Sequence, residues 1–258
     1  MITSRQLLLL FLAMTTPVFP ARAQSSAAIQ PEAAQILSLA NEARAQDGAA
    51  PLQWDAALAA AARQHCQLMA ANRSISHQYP GEPDASERAH QADAHFSLIE
   101  ENVALAPTPA AIHNAWMNSP HHRSNLLNPD VDHVGIAVIA GRDGLYVVAD
   151  YERIVVVLSQ SQVESKIAAL VKTSGIALQS DATLARAACA TDDGMPRAAS
   201  GPQPHYVMRW QTAALTQLPQ ELTDKLVSGR YRKAAVANCP TQGEEGSFTA
   251  YRLAVLLY

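Results

Sequence analysis

Apolar positions recur at helical spacing through the first half of the chain, and then the period changes. Ile36, Ala40 and Ala43 form one buried stripe on a helix that Pro31 opens and Gly48 closes, proline being tolerated in a first turn and glycine favoured just past a last one. Pro51-Leu-Gln-Trp54 reads as a short connection with its apolar groups packed as a plug. Asp55 is then suited to accept from the first free amides of a second helix. Leu58, Ala61, Ala62, His65 and Met69 share a face of that helix, and its many alanines allow close approach to another layer. From Gln78 to about Asp93 polar residues dominate, with Pro80, Gly81 and Pro83, so an exposed loop is expected, bordered by solvent-facing His90 and His95. Thr108-Pro109 reads as cap and first residue of a third helix with Ile112, Ala115 and Trp116 inward. That helix ends at Asn118-Ser119, because Pro120 disfavours helical dihedrals in the residue before it. Pro120 can itself open a fourth, short helix that carries His121, His122 and Arg123 and turns Leu126 and Leu127 inward.

Beyond Asn128-Pro129 the pattern becomes that of strands. Residues 134–139 and 145–151 are rich in β-branched and aromatic side chains, and Gly141-Arg-Asp-Gly144 between them is a hairpin signal. The expected fold is therefore α+β, with helices on both faces of a small antiparallel sheet. Ser159-Gln-Ser-Gln162 reads as linker, with the break between units placed over 154–165. After it the chain repeats itself in a worn form. Gly175-Ile-Ala-Leu-Gln-Ser-Asp181, Leu184 and Ala188 echo Gly48 through Ala62; Leu218-Pro219, Leu226 and strands at 233–239 and 247–258 echo Ser119-Pro120, Leu127 and the hairpin. The second unit, 166–258, has no counterpart of His77 or His122; its single histidine, His205, falls in a Pro/Gly-rich loop. It reads as an inert packing or recognition unit.

Composition adds an address. Arg5, the apolar run from Leu7 to Met14 and Ala21-Arg22-Ala23 have the layout of a cleavable export leader over 1–23, too short in its apolar part to span a bilayer, and no later run is long enough either. A secreted or periplasmic protein is expected. The 19 basic residues fall to 17 once Arg5 and Arg22 leave with the leader, against 23 acidic ones, and so acidic a chain lacks the footprint of a nucleic-acid binder. In an oxidising compartment three cysteines suggest one disulfide and one spare thiol. Cys189 with Cys239 is the expected pair, and Cys66, inside an alanine-rich helix, behaves as a small buried hydrophobe.

The chemistry-bearing residues cluster in the first unit, 24–153. Asn41-Glu-Ala-Arg44, Gly48-Ala-Ala-Pro-Leu-Gln-Trp-Asp55, Ser76-His77, Glu101-Asn102, Trp116-Met-Asn-Ser-Pro-His-His-Arg-Ser-Asn125 and His133-Val-Gly-Ile-Ala137 follow one another in an order that resembles the CAP superfamily (cysteine-rich secretory, antigen 5 and pathogenesis-related 1 proteins) in its short bacterial form. The resemblance spans roughly 32–152 and implies an α-β-α sandwich. It also implies a cavity of two histidines and two glutamates that binds a divalent metal in some members. Carried onto this chain, it selects His77, His122 and Glu101; the second glutamate is expected three residues after the tryptophan, where Ser119 stands. Imidazole is both the commonest neutral metal ligand and the usual general base near neutral pH, so two histidines and a carboxylate suit either task. Zinc would take nitrogens from His77 and His122, with Glu101 as ligand, orienting group or proton acceptor. A serine in place of a glutamate removes one anion and weakens that attraction. Two adjacent carboxylates cannot both face inward on a helix or a strand, so one of Glu100 and Glu101 is expected to be solvated; the resemblance selects Glu101 as the inner one, because it directly precedes the asparagine. His121 is expected to face solvent, Asn41, Arg44, Arg123 and Asn125 to serve as scaffold, and His65 to be a satisfied core histidine.

Three functions fit these residues. One is a secreted module whose cavity binds a divalent ion or a small polar ligand. The second is a hydrolase of peptides or esters built on metal-bound water or a His–Glu pair; a serine triad at Ser119 lacks the flanking glycines of a nucleophile elbow. The third, suggested by eukaryotic members of the superfamily, is a lipid or sterol carrier, for which 5% aromatic residues offer little apolar lining.

Overall fold

The computed structural model describes residues 29–189, 191, 193–239 and 248–258, so the leader expected over 1–23 and position 247 lie outside them. Proline and glycine bound the first helix as expected. Helix α1 spans Pro31–Asp47, and Gly48 closes it at φ 81°, a left-handed conformation that glycine adopts without penalty. Asp55 caps α2 (Ala56–Asn72), accepting from the Leu58 amide at 2.8 Å. Thr108 caps α4 (Pro109–Asn118) by accepting from the Ala111 amide, and Pro120 opens α5 (Pro120–Leu127). The strands are β2 (Phe96–Ala106), β3 (His133–Ala140) and β4 (Leu145–Ile154).

Two expectations need correction. Pro51-Leu-Gln-Trp54 is more than a plug: Gln53–Trp54 forms a two-residue strand, β1, parallel to β3, so the sheet is mixed, in the order β1-β3-β4-β2. The stretch from Gln78 to Asp93 is not all loop, because Asp84 caps a short helix, α3 (Ala85–Gln91), whose Arg88 and Ala89 are buried. Helices α1, α4 and α5 cover one face of the sheet, around Ile36, Trp116 and Tyr151, while α2 and α3 cover the other, around Leu58, Cys66 and Phe96. This is the α-β-α sandwich. Arg44, fully buried, locks α1 to the end of α5 by donating to the carbonyls of Ala50, Leu126, Asn128 and Val131, and Asn41 exchanges two hydrogen bonds with the Leu52 backbone. Both are scaffold residues. Cys66 is buried as expected; its thiol faces the Tyr146 carbonyl at 3.1 Å, and burial pushes its pKa up to about 12.

The second unit begins earlier than the linker reading allowed. Ser159 and Gln162 form a capping box, a serine and a glutamine three residues later exchanging bonds with each other's backbone, at the start of α6 (Gln160–Lys172). The elements that follow are β5 (Ala177–Leu178), α7 (Thr183–Ala188), β6 (Tyr206–Thr212), α8 (Gln220–Val227), β7 (Lys233–Cys239) and β8 (Tyr251–Leu257). Their sheet runs β5-β7-β8-β6, which is the first sheet's order element for element, with β5 parallel to β7 and the other pairs antiparallel. Backbone bonds match as well. Gln53 to Asp132, Asp55 to Val134 and Asp132 to Glu152 in the first unit correspond to Ala177 to Arg232, Gln179 to Ala234 and Arg232 to Tyr258 in the second.

Cys189, just past α7, is bonded to Cys239 at the end of β7. The bond closes a loop with a sequence separation of 50, which in the chain-entropy limit contributes about 4 kcal/mol. Cys189→Ala/Cys239→Ala is expected to destabilise the second unit by about 2–4 kcal/mol, read as a lower denaturant midpoint in chemical unfolding. Among the described residues no helix is long and apolar enough to cross a membrane.

Candidate functional site

Strand β2 is an edge strand of the first sheet, and that position lets residues from both of its faces line one cavity. Glu101 leaves β2 on the α2 side, opposite Asp150 of β4; Glu100 leaves on the α5 side, opposite Tyr151. A cavity of about 450 Å³ wraps this edge and is lined by His77, Gln78, Asp84, Ala85, Glu100, Glu101, His121 and Asn125.

Helix α5 is tied to the edge by asparagines. Asn125 donates to the Glu101 carbonyl at 3.2 Å and to Asn102 Oδ1 at 3.1 Å, and Asn102 donates to the His122 carbonyl at 2.9 Å. This makes Asn102, fully buried, the hinge pin between strand and helix. On the other side the 74–83 segment leaves α2 and is pinned from beneath. His65 has both ring nitrogens bonded, to Glu82 Oε1 and to the Ser76 carbonyl, each at 2.7 Å, and so is the satisfied core histidine the sequence suggested.

The direct contact at the site is between His77 and Glu101. Nδ1 of His77 donates to Glu101 Oε1 at 2.7 Å, leaving Nε2 as the outward nitrogen of a ring that is 56% exposed, while the Glu101 side chain is 5% exposed. That bond raises the His77 pKa above the ordinary histidine value. The second oxygen of Glu101 is taken by Arg88, whose Nη2 donates to Oε2. Burial, and then the charges of His77 and His121, lower the His122 pKa. Of the residues expected at the site, His77 and Glu101 are the pair in direct contact.

Other placements differ from expectation. The cavity wall takes His121 rather than His122, and Ser119 does not line it; Ser119 sits between α4 and α5 as an N-cap by position, without a side-chain bond. Glu100 is half-buried, not solvated: Asn128 donates to its Oε1 at 3.0 Å, Oε2 is buried with no partner among the described residues, and burial raises its pKa. Three buried charged residues in and around the site carry little signal in the sequence. Arg88 falls in the stretch expected to be a loop, where the Asp84-to-Glu87 capping pattern is the one available signal. Asp150 and Glu152 alternate along β4 like solvent-facing positions, yet both are fully buried, and among the described residues no side-chain oxygen of either has a hydrogen-bond partner. Burial and then the Glu101 charge push the Asp150 pKa well above the carboxylate range.

The donor set can be tested against the zinc centre implied by the superfamily resemblance. A zinc site needs three or four converging His, Cys or carboxylate donors. Here both oxygens of Glu101 are already engaged, one of them by a guanidinium, and among the described residues no three His, Cys, Asp or Glu side chains are arranged to hold a metal ion. The residues present do not fit the metal.

Among its described residues the second unit has no counterpart of the carboxyl pair on the first sheet. Gly135, Asp150 and Glu101 stand side by side across the first sheet; the same register in the second places Ala235, Leu256 and Val207 together. Where the first unit sets two carboxyl groups, the second sets two apolar side chains.

Residues 37–155 match the CAP family, described as the cysteine-rich secretory protein family. The uncharacterized protein YkwD of Bacillus subtilis is 32% identical over 106 residues, which is 41% of this chain and 41% of YkwD. A solved extracellular protein with an SCP domain from Bacillus anthracis is 30% identical, over 46% of this chain and 39% of that one, with a TM-score of 0.43. An outer surface protein of Borrelia burgdorferi is 27% identical, over 46% of this chain and 90% of its own, also with a TM-score of 0.43. The matches to YkwD and to the Bacillus anthracis protein each span less than two thirds of that relative's length. With the family matched over 119 consecutive positions and the six motifs of that family in order along them, residues 37–155 are a CAP domain of the bacterial type.

Proposed function

We propose that the first unit is an extracytoplasmic binding module whose cavity takes a small polar ligand. The observation that carries this reading is the fixed His77–Glu101 pair at an open cavity: Glu101 holds the ring by Nδ1 and turns Nε2 outward, so the site offers one oriented nitrogen beside the half-buried carboxyl of Glu100. A ligand that presents a donor to Nε2 of the neutral His77 ring, or an acceptor to its imidazolium, and a hydroxyl or amide donor to Glu100 or Asp84 satisfies that wall. Imidazoles and carboxyl groups suit such a ligand better than a sterol or an acyl chain. Export is supported by the leader pattern over 1–23 and by the Cys189–Cys239 disulfide, a bond that persists in oxidising compartments. The second unit, with its matching strand order and its apolar residues at the site positions, is a degenerate copy of the first that keeps the packing and has lost the chemistry.

A hydrolase is the second reading, favoured by the same pair: a carboxylate-oriented histidine with a free Nε2 is how a general base is held against water or a hydroxyl. Ser119 has no part in it, being absent from the cavity wall.

Proton titration by NMR tests the pair. The His77 ring is expected to titrate above an ordinary histidine, and Glu101→Gln to bring it down towards the ordinary value, because the hydrogen bond to Glu101 is the main cause of the rise. A panel of amino acids, sugars and small amides is then screened for shifts of the His77 and His121 ring signals. Compounds that shift them in the wild type and not in His77→Ala support the binding module; a panel that leaves them unmoved counts against it. Turnover of peptide or ester substrates would move the assignment to the hydrolase.

A further inference from the structure

We propose that Arg88 is the built-in cation of this cavity and that its guanidinium makes the site exclude divalent metal. The inference rests on the cavity being a ligand site and adds what that site rejects. Arg88 is 3% exposed, projects from α3 and reaches the carboxyl groups of Glu82 and Glu101. Nη2 donates to Glu101 Oε2, and Nη1 donates to the Pro83 carbonyl at 2.9 Å and the His77 carbonyl at 3.3 Å, with Glu82 Oε1 3.7 Å away. One side chain thus neutralises Glu101 and ties together both ends of the 77–83 segment that carries His77.

A cation in that place does two things a bound metal would do. It compensates the buried carboxylate, and it fixes the loop that presents the imidazole. It also denies the metal its anion. A dication approaching His77 and His122 meets a fixed positive charge on the one carboxylate that could hold it, and a buried guanidinium cannot lose its proton to make room. The other acidic groups nearby are otherwise engaged: Glu82 is bonded by His65 and by the Tyr79 amide, Asp84 caps α3 through Oδ1, burial raises the Asp150 pKa, and Glu100 lies on the opposite face of β2 with its pKa raised by burial. Helix α3, which the sequence concealed, is therefore the element that decides what the cavity accepts.

Zinc and cobalt titrations of the full chain test this, by calorimetry for zinc and by visible absorption for cobalt. The wild type is expected to show no saturable binding below about 100 μM, a weak-affinity limit. Arg88→Gln is expected to bind at least about tenfold more tightly, a gain lost again in Arg88→Gln/His77→Ala; Arg88→Lys, which keeps a cation, should stay like the wild type. Circular dichroism and a thermal melt establish that Arg88→Gln is folded. If it is not, wild type and Arg88→Lys decide alone: the absence of binding in both supports the proposal, and saturable micromolar binding that His77→Ala abolishes overturns it. A folded Arg88→Gln that binds metal no better than wild type overturns it too. The NMR screen uses no metal, so metal binding by the wild type would defeat this inference and leave the small-ligand reading standing.

Discussion

Gly135→Val is expected to unfold the first unit or to bring it to the edge of unfolding at room temperature. A Cβ at position 135 would lie 2.1 Å from the Ala59 amide nitrogen and 2.2 Å from the Leu58 carbonyl carbon. Those are backbone atoms in the first turn of α2, so no side-chain rotation relieves the collision. Overpacking a core by a methylene or two costs about 1–3 kcal/mol when neighbouring side chains can shift. Here the helix itself must lift off the sheet, and the loss should exceed that range. The helix is also held at this point by its Asp55 cap and by the bond from the Asp55 amide to the Val134 carbonyl, so lifting it breaks both. Chemical denaturation followed by circular dichroism measures the loss. A Gly135→Val protein with a midpoint near the wild-type value would mean that α2 does not sit on β3 in this register. The second sheet supplies an internal control. Its equivalent position is Ala235, which packs against Ala185 and Ala188 of the shorter α7, so a side chain is accommodated where no long helix lies directly on the strand.

The same comparison explains which parts of the molecule could be read in the sequence. Helix ends were legible wherever one residue fixes them: Pro31 and Gly48, Asp55, Thr108 and Pro120 each act locally. Strands β3 and β4 and the Cys189–Cys239 pair were legible for the same reason, the hairpin signal Gly141 to Gly144 and the oxidising address being properties of short segments or of composition. The capping box at Ser159 is equally local, but serine and glutamine also make linkers, so its residues do not by themselves distinguish the two. What stayed hidden depends on the third dimension. β1 is two residues long and exists because Gln53 and Trp54 meet β3. Arg88 is buried because Glu101 and the 77–83 carbonyls surround it, and nothing in Ala85-Ser-Glu-Arg-Ala89 announces a core arginine. For Glu100 the alternation rule was right about direction and wrong about consequence. It does point away from Glu101, but at a sheet edge covered by α5 both directions lead to the cavity.

Asp150 and Glu152 are the largest departure from pattern, and Glu152 predicts a pH dependence opposite to the usual acid lability of folded proteins. Glu152 lies opposite Ile99 and His133 on neighbouring strands, with neither carboxyl oxygen bonded among the described residues. Burial, and then the charges of Asp55 and Asp132, carry its pKa from 4.5 to about 8. The folded state therefore holds a proton that the unfolded chain has released above pH 4.5. This contribution to stability is whole below the unfolded pKa, shrinks as pH climbs between 4.5 and about 8, and is gone above. At about 1.4 kcal/mol for each pKa unit, the full swing is about 5 kcal/mol. Asp150, and His77 through its bond to Glu101, act in the same direction, so the wild type should be several kcal/mol more stable near pH 5 than near pH 9. Glu152→Gln, which cannot ionise, should be more stable than wild type at about pH 9, should match it near pH 5, and should flatten the slope between them by the share Glu152 carries. Denaturant melts of the two proteins across that range separate the shares. An unchanged slope in Glu152→Gln would place the buried proton on Asp150 instead, next to Glu101, where it would bear directly on how that carboxylate holds His77.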